Sequence, residues 1–224
     1  MNPIIQQQFD RKLPKPGKTG LDWYLFSYFA QKYNNKKLLE IGVGDGGSLF
    51  TLLAHSNDVT AIDNWNYGWG KSPIVQYANN LNKFVKFIDE DSNSVRAEGL
   101  ETYNFIHLDA NKGYEGVIKD LELCDKITDD TVCVDDYMNS MWPEVTWAVT
   151  DFLETHSNWK IILVGNHQIF LSKQNVQIKE IITDFPVVYR NNILYLTYGA
   201  LPDYTKPYID NGAMKYTWHD TAWK

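Results

Sequence analysis

The residues best placed to do chemistry begin at Glu40. The run Glu40-Ile41-Gly42-Val43-Gly44-Asp45-Gly46-Gly47-Ser48 packs glycines between acids just after an apolar stretch. Glycines let a backbone approach a ligand closely, and a helix opening on them presents free N–H groups. Asp63 follows 21 residues beyond Gly42, a place from which an acid can accept both hydroxyls of a ribose. Gly42, Gly44 and Gly47 satisfy the dinucleotide spacing, so glycines plus acid fit any nucleotide-like cofactor. More acids recur downstream at Asp91, Asp109 and the pair Asp135-Asp136.

Such residues need a strand before them and a helix after them. Residues 38–41 read as a short apolar strand that stops at the glycines, and 47–54 as the helix behind it. Further strands are expected at 59–63, 84–88, 103–109, 131–135 and 160–164, and helices at 21–33, 72–82, 114–124 and 144–155. Strands alternating with helices of this length imply a parallel sheet covered on both faces. Near the end, residues 187–190 and 193–198 flank Asn191-Asn192, and Asn tolerates the left-handed backbone that a tight hairpin needs. The expected class is α/β, a Rossmann-like three-layer sandwich with a mostly parallel sheet and an antiparallel C-terminal hairpin. A single domain over 1–224 divides into an N-terminal segment and helix (1–36), the core (37–198) and an aromatic tail (199–224). That tail carries Tyr204, Tyr208, Tyr216, Trp218 and Trp223, suited to packing on the domain or on a second subunit of a homo-oligomer.

Glu40 discriminates among cofactors. A pyrophosphate is anionic, and a carboxylate at the end of the first strand repels it; this counts against an NAD-dependent oxidoreductase. S-adenosylmethionine has no phosphate and carries a sulfonium and an ammonium, so an acid there is tolerable or helpful. The plain alternative is a solvated Glu at a strand end, with glycines for turning. Three further segments bear on the choice: Ile62-Asp63-Asn64-Trp65, then Phe105-Ile106-His107-Leu108-Asp109-Ala110-Asn111-Lys112-Gly113-Tyr114-Glu115-Gly116, then Val134-Asp135-Asp136-Tyr137. With the glycine turn, these resemble class I S-adenosylmethionine-dependent methyltransferases. They are most similar to the metal-dependent O-methyltransferases that act on sugars of macrolides and aminocoumarins. The resemblance covers roughly residues 38–173 and implies a seven-stranded sheet with an antiparallel last strand.

The resemblance also implies roles. Glu40, Gly42, Gly44 and Gly46 would hold the methionine part and the turn, Asp63 the ribose, and Asp91 and Ser92 the adenine. Asp109, Asp135 and Asp136 would bind Mg²⁺, with Asp109 also at the cofactor and in catalysis. Hard Mg²⁺ takes carboxylate and water oxygens, and a bound ion would lower the pKa of an acceptor hydroxyl and align it. Adjacent strand residues point to opposite faces, so Asp135 and Asp136 converge only if the strand ends between them; otherwise one caps the loop and the other is solvated. Two positions depart from the family: Asn111 stands where some members have an acid proposed as general base, and Lys112 where His is common. Lys112 serves as a catalytic base only if its pKa is pulled down; a relative that binds cofactor without catalysis is the alternative. His107, inside a strand, reads as a buried, hydrogen-bonded histidine.

Composition bounds the rest. The charge of −7 disfavours a phosphate-backbone binder, so the expected partner is a small hydroxylated acceptor and not nucleic acid. Among the 8 Trp residues, Trp65 and Trp69 sit with Tyr67 in a glycine-bearing loop expected to form a cofactor lid or acceptor wall, Trp65 against the cofactor. Met138, Met141 and Trp142 offer a second wall. Cys124 and Cys133 form no Cys-x-x-Cys pair, so a reducing cytoplasm is the default. No apolar run reaches the roughly 18 residues of a spanning helix, and no membrane association is expected. Gly17-Lys18-Thr19 resembles the end of a P-loop, but no strand precedes it and its leading glycine is missing.

Overall fold

The structure is a computed structural model that describes residues 20–67, 70–165 and 167–176, together with strand backbones at 187–190, 193–196, 208–210 and 213–215. In chain order the elements are α1 (Gly20–Lys32), β1 (Lys37–Ile41), α2 (Gly47–His55), β2 (Asp58–Ile62), α3 (Lys71–Asn80), β3 (Val85–Ile88) and β4 (Tyr103–Leu108). These are followed by α4 (Tyr114–Ile127), β5 (Thr128–Asp135), α5 (Pro143–Thr155), β6 (Lys160–Val164) and β7 (Gln168–Ser172). Beyond them lie β8 (Val187–Arg190), β9 (Ile193–Leu196), β10 (Tyr208–Asp210) and β11 (Ala213–Lys215).

The sheet runs β3-β2-β1-β4-β5-β7-β6, extended by β9 and β8. Strands β1 to β5 pair in parallel, and β7 runs antiparallel to both neighbours. This is the seven-stranded mixed sheet that the resemblance implies. The expected hairpin is present as β8 and β9, joined to the edge of β6 through Val164 and Tyr195. The reversed strand within the seven is β7, which the sequence reading passed over. Its apolar run is only Ile169-Phe170-Leu171, and its buried ends, Gln168 and Ser172, are polar enough to read as loop. The Gln168 amide N–H donates to Asp135, and the Ser172 hydroxyl oxygen accepts the Gln174 N–H. The aromatic tail, apart from the small β10–β11 ladder, and the first 19 residues lie outside the described residues.

Strand alternation sorts the core into two layers. Leu38, Phe105, Cys133, Leu163 and Phe170 face α1 and α2, where Leu25, Phe26, Phe29 and Leu49 close over them. Leu39, Ile41, Ile106, Val132 and Val134 face α4 and α5, against Val117, Leu121, Val149 and Phe152. The aromatics of α1 and of the turn after it are thereby explained: Phe29 stacks on Phe170 with ring centroids 4.3 Å apart, and Tyr33 on Phe105 at 5.6 Å. The chain order reverses between β1 and β4, so a crevice opens beyond their C-terminal ends, where ligands bind in open α/β sheets. No helix among the described residues is long and apolar enough to cross a membrane.

His55 ends α2, buried beside Lys83. Burial, assisted by the Lys83 charge, pushes its pKa from 6.5 down to about 4. The unfolded chain therefore binds the proton more readily than the fold does, and His55 subtracts stability as pH falls through 6.5, levelling off near 4. The loss reaches about 3 kcal/mol at 1.36 kcal/mol per pH unit. Urea denaturation at pH 7 and pH 4.5 should show a smaller loss for His55→Gln than for the parent; equal losses would contradict this.

Candidate functional site

Backbone bonds build the glycine turn first. As β1 ends, the Gly42 N–H donates to the Ile62 carbonyl at 2.9 Å and the Asp109 N–H donates to the Ile41 carbonyl at 2.8 Å. Gly42 has φ 85°, and a Cβ there would lie 2.5 Å from the backbone of Asp109 and Ala110, so only glycine lets the exit of β4 cross this close. Gly44 has φ 53° with open space where its Cβ would stand; that space belongs to the cavity described below. Gly46 is the N-cap of α2. Asp63, at the end of β2, holds this turn: Oδ2 accepts the N–H of Val43 at 2.6 Å and of Gly44 at 3.2 Å, and Oδ1 accepts that of Trp65 at 2.5 Å.

Glu40 lies below the turn and not at its mouth. It is fully buried, accepts the Ser48 hydroxyl from α2, and stands 3.2 Å from Nδ1 of His107, its register partner on β4. A carboxylate taken out of water needs such partners. The site role expected for Glu40 becomes an anchoring one, fixing the helix behind the glycines. His107 is buried as expected, with the Phe26 ring 4.6 Å from its own.

Trp65 also departs from expectation. Its indole packs edge-on against Phe87 at 5.6 Å and donates to Asp89 at 2.8 Å. The ring is held on β3 and contributes nothing to the cavity wall. Trp69 lies outside the described residues.

A cavity of about 620 Å³ opens where the turn meets the strand ends, a size that suits a drug-sized ligand. The turn side supplies Gly42, Gly44, Asp63 and Asn64; Asp91 and Ser92 line a second stretch; Asp109, Lys112, Tyr67 and Trp142 complete the wall. Asp91 accepts from Asn64 at 3.2 Å and caps a short turn by accepting the Asn93 N–H at 3.0 Å.

Behind Ser92 lies a network that sequence reasoning missed. Asp120 on α4 is fully buried and accepts from Asn93 at 2.8 Å and from Asn111 at 3.3 Å, while Asn111 also donates to the Ser92 hydroxyl at 3.2 Å. Burial raises the Asp120 pKa against the pull of these hydrogen bonds. Asn111 is therefore a donor locked onto an acid; a carboxylate in its place would face Asp120 with no proton to share. The signal was available: Asp120 interrupts the apolar stripe Val117, Leu121, Cys124.

The downstream acids meet around Lys112. Strand β5 ends at Asp135 and Asp136 takes the left-handed conformation with φ 61°, so the chain turns between them. Lys112 Nζ lies 2.5 Å from Asp109 Oδ1 and 2.6 Å from Asp136 Oδ2. Asp136 also accepts from Asn139 at 2.8 Å, and Asp135 from the buried Gln168 amide at 3.1 Å. His107, Asp109 and Asp135 bring ligand atoms within 4.8 Å of one another, a grouping that includes His107 and leaves Asp136 out. Burial would lower the Lys112 pKa, but the charges and hydrogen bonds of Asp109 and Asp136 outweigh it and raise it. That direction is opposite to what a general base requires, so Lys112 stands here as a cation.

A family model described as a methyltransferase domain matches residues 39–137. Among solved structures, the chain is similar to CalS11, the TDP-rhamnose 3'-O-methyltransferase of calicheamicin biosynthesis, with a TM-score of 0.54 and 16% identity over 67% of this chain and 76% of that one. SMU.1697c of Streptococcus mutans, solved in complex with SAH, gives a TM-score of 0.53 and 12% identity over 69% and 97%. The O-methyltransferase NovP gives 0.50 and 16% over 66% and 79%. No curated protein matches the chain. A glycine turn bound by the acid of β2, on the sheet order 3-2-1-4-5-7-6 with β7 reversed, agrees with the matched segment: residues 39–137 match a methyltransferase domain, and the sheet that holds them has the Rossmann-like fold of class I methyltransferases.

Proposed function

We propose that the protein transfers a methyl group from S-adenosylmethionine to a hydroxyl of a small acceptor. The observation that carries this reading is the continuity of one cavity, from the glycine turn and Asp63 at one end to Asp109, Lys112 and Trp142 at the other. S-adenosylmethionine supplies an electrophilic methyl on a sulfonium. Asp63 retains one lone-pair site beyond those used by Val43, Gly44 and Trp65 and can accept a ribose hydroxyl there, while Asp91 and Ser92 border the place for the base. Trp142 and the exposed Met138 and Met141 follow the Asp135–Asp136 corner, where an apolar part of the acceptor would rest. As the acceptor oxygen bonds to the methyl carbon, the carbon–sulfur pair stays on sulfur and the hydroxyl proton passes to the Asp109 carboxylate.

The acidic lining and the charge of −7 favour a neutral or cationic small acceptor over nucleic acid. CalS11, named a TDP-rhamnose 3'-O-methyltransferase, and NovP, named an O-methyltransferase, point the same way. Mg²⁺ on Asp109, Asp135 and Asp136 would bind an acceptor oxygen and lower its pKa, and carboxylates are the donors it prefers. The Asp109 and Asp136 oxygens, however, already hold Lys112 Nζ. As the side chains stand, the set does not fit Mg²⁺.

Calorimetry on the full chain should show binding of S-adenosylmethionine and of its demethylated product. Binding of NADH with neither of these would overturn the reading. Asp63→Ala should weaken cofactor binding by about tenfold to a hundredfold, roughly 1.4–2.8 kcal/mol, by removing the ribose acceptor and the clamp on the turn. Asp120→Ala, which never touches the cavity, should weaken it by about tenfold by releasing Asn93 and Asn111 and loosening the Asp91–Ser92 stretch. Unchanged affinity in Asp120→Ala would show that this network is structural only.

A further inference from the structure

We propose that Lys112 is the resident cation of this site: its ammonium occupies the place between Asp109 and Asp136 that a divalent ion would fill, so the protein works without a metal and positions the acceptor oxygen with this ammonium. The proposal rests on the methyl-transfer reading for the nature of the ligand, but its geometry stands independently.

Four observations carry it. First, Lys112 Nζ contacts both carboxylates at hydrogen-bond distance, 2.5 Å to Asp109 and 2.6 Å to Asp136. Second, the arrangement is built into the backbone. Lys112 follows Asp109 by three residues on the loop into α4, and Asp136 is turned toward it by a left-handed φ of 61° directly after β5. Third, the remaining acid of the expected metal set is partly engaged from another strand. Asp135 accepts from Gln168, whose own side chain is wholly buried on β7. Fourth, all three charged side chains are largely removed from water, with exposures of 20% for Lys112, 27% for Asp109 and 19% for Asp136, so solvent screens their attraction only in part.

The consequence for metal binding is electrostatic. A divalent ion that shared Asp109 and Asp136 with the ammonium would lie within a few ångströms of a like charge. One cation must leave for the other to enter, and Lys112 is tethered by the chain. The consequence for substrate is directional. An ammonium has three N–H donors; two are met by the carboxylates, and the third is available to an oxygen in the cavity that Lys112 lines. A hydroxyl held there lies beside Asp109, the carboxylate assigned to receive its proton. Lys112 is thus a positioning residue as well as a counter-charge, a role that an unpaired surface lysine would not have.

The test needs no acceptor. Full-length protein is stripped with EDTA, dialysed, and titrated with Mn²⁺ by electron paramagnetic resonance, with Mg²⁺ titrated by calorimetry alongside. The parent should take up neither ion at millimolar concentration. Lys112→Ala and Lys112→Gln, which leave the carboxylates without their cation, should bind Mn²⁺ at least about tenfold more tightly than the parent. Sub-millimolar Mn²⁺ binding by the parent overturns the proposal, as does failure of both folded variants to gain it; should neither variant fold, the parent titration decides alone. S-adenosylmethionine binding, measured on the same stripped samples, separates the two readings. Its absence from the parent rejects the methyltransferase reading, whereas metal uptake with intact cofactor binding rejects only the role of Lys112.

Discussion

The close crossing at Gly42 is the constraint on which the rest depends. Two parallel strands, β1 and β4, must leave the sheet side by side, yet the chain after β1 turns into α2 and the chain after β4 turns into α4. With a Cβ at position 42 the Asp109–Ala110 backbone would be 2.5 Å away, and the two exits would have to separate. Glycine lets them touch, and the touch sets Asp109 beside the cofactor turn. A ligand on the turn and an acid at the end of β4 therefore share one cavity, the arrangement that the proposed methyl transfer requires. Proximity of this kind supplies a large part of catalysis.

Around that crossing, charge is managed by pairing. The acids at and behind the strand ends are answered by specific partners: Glu40 by Ser48 and His107, Asp63 by three backbone N–H groups, Asp120 on α4 by two asparagines, Asp109 and Asp136 by Lys112. Each pairing also fixes a piece of loop. The buried pair holds α2 behind the glycines, the Asp63 clamp shapes the turn, and the Asp120 network seats the stretch from Asp91 to Ser94. The excess of acids over bases is thus part of the framework that holds the cavity walls, and it leaves the cavity itself poor in places for an anion.

Much of this was readable before any coordinates. Alternating strand and helix patterns, and a glycine turn followed by an acid at the end of the next strand, follow from rules about strand ends that depend on local sequence. Burial of His107 was also visible, because it sits within an apolar run. What escaped reading depends on contacts made across the fold. Strand β7 has polar ends whose bonding partners are more than 30 residues away in the case of Gln168. Asp120 looks like an ordinary helix acid until Asn93 and Asn111 arrive from two other segments. Trp65 could line a cavity or leave it, and the choice was made by Phe87 on the next strand and Asp89 just beyond its end. The meeting of Lys112 with Asp136 requires a left-handed residue directly after β5, a conformation that Asp tolerates but does not announce.

The identity of the cation at the end of β4 and β5 is where the account is most exposed. A crystal structure with the demethylated cofactor bound, grown in the presence of Mn²⁺ and read by anomalous scattering, addresses it directly. The account predicts the cofactor on the glycine turn with its ribose at Asp63, Lys112 Nζ between Asp109 and Asp136, and no anomalous peak there. A manganese peak between those carboxylates with Lys112 swung away, or cofactor density outside the cavity, would contradict it.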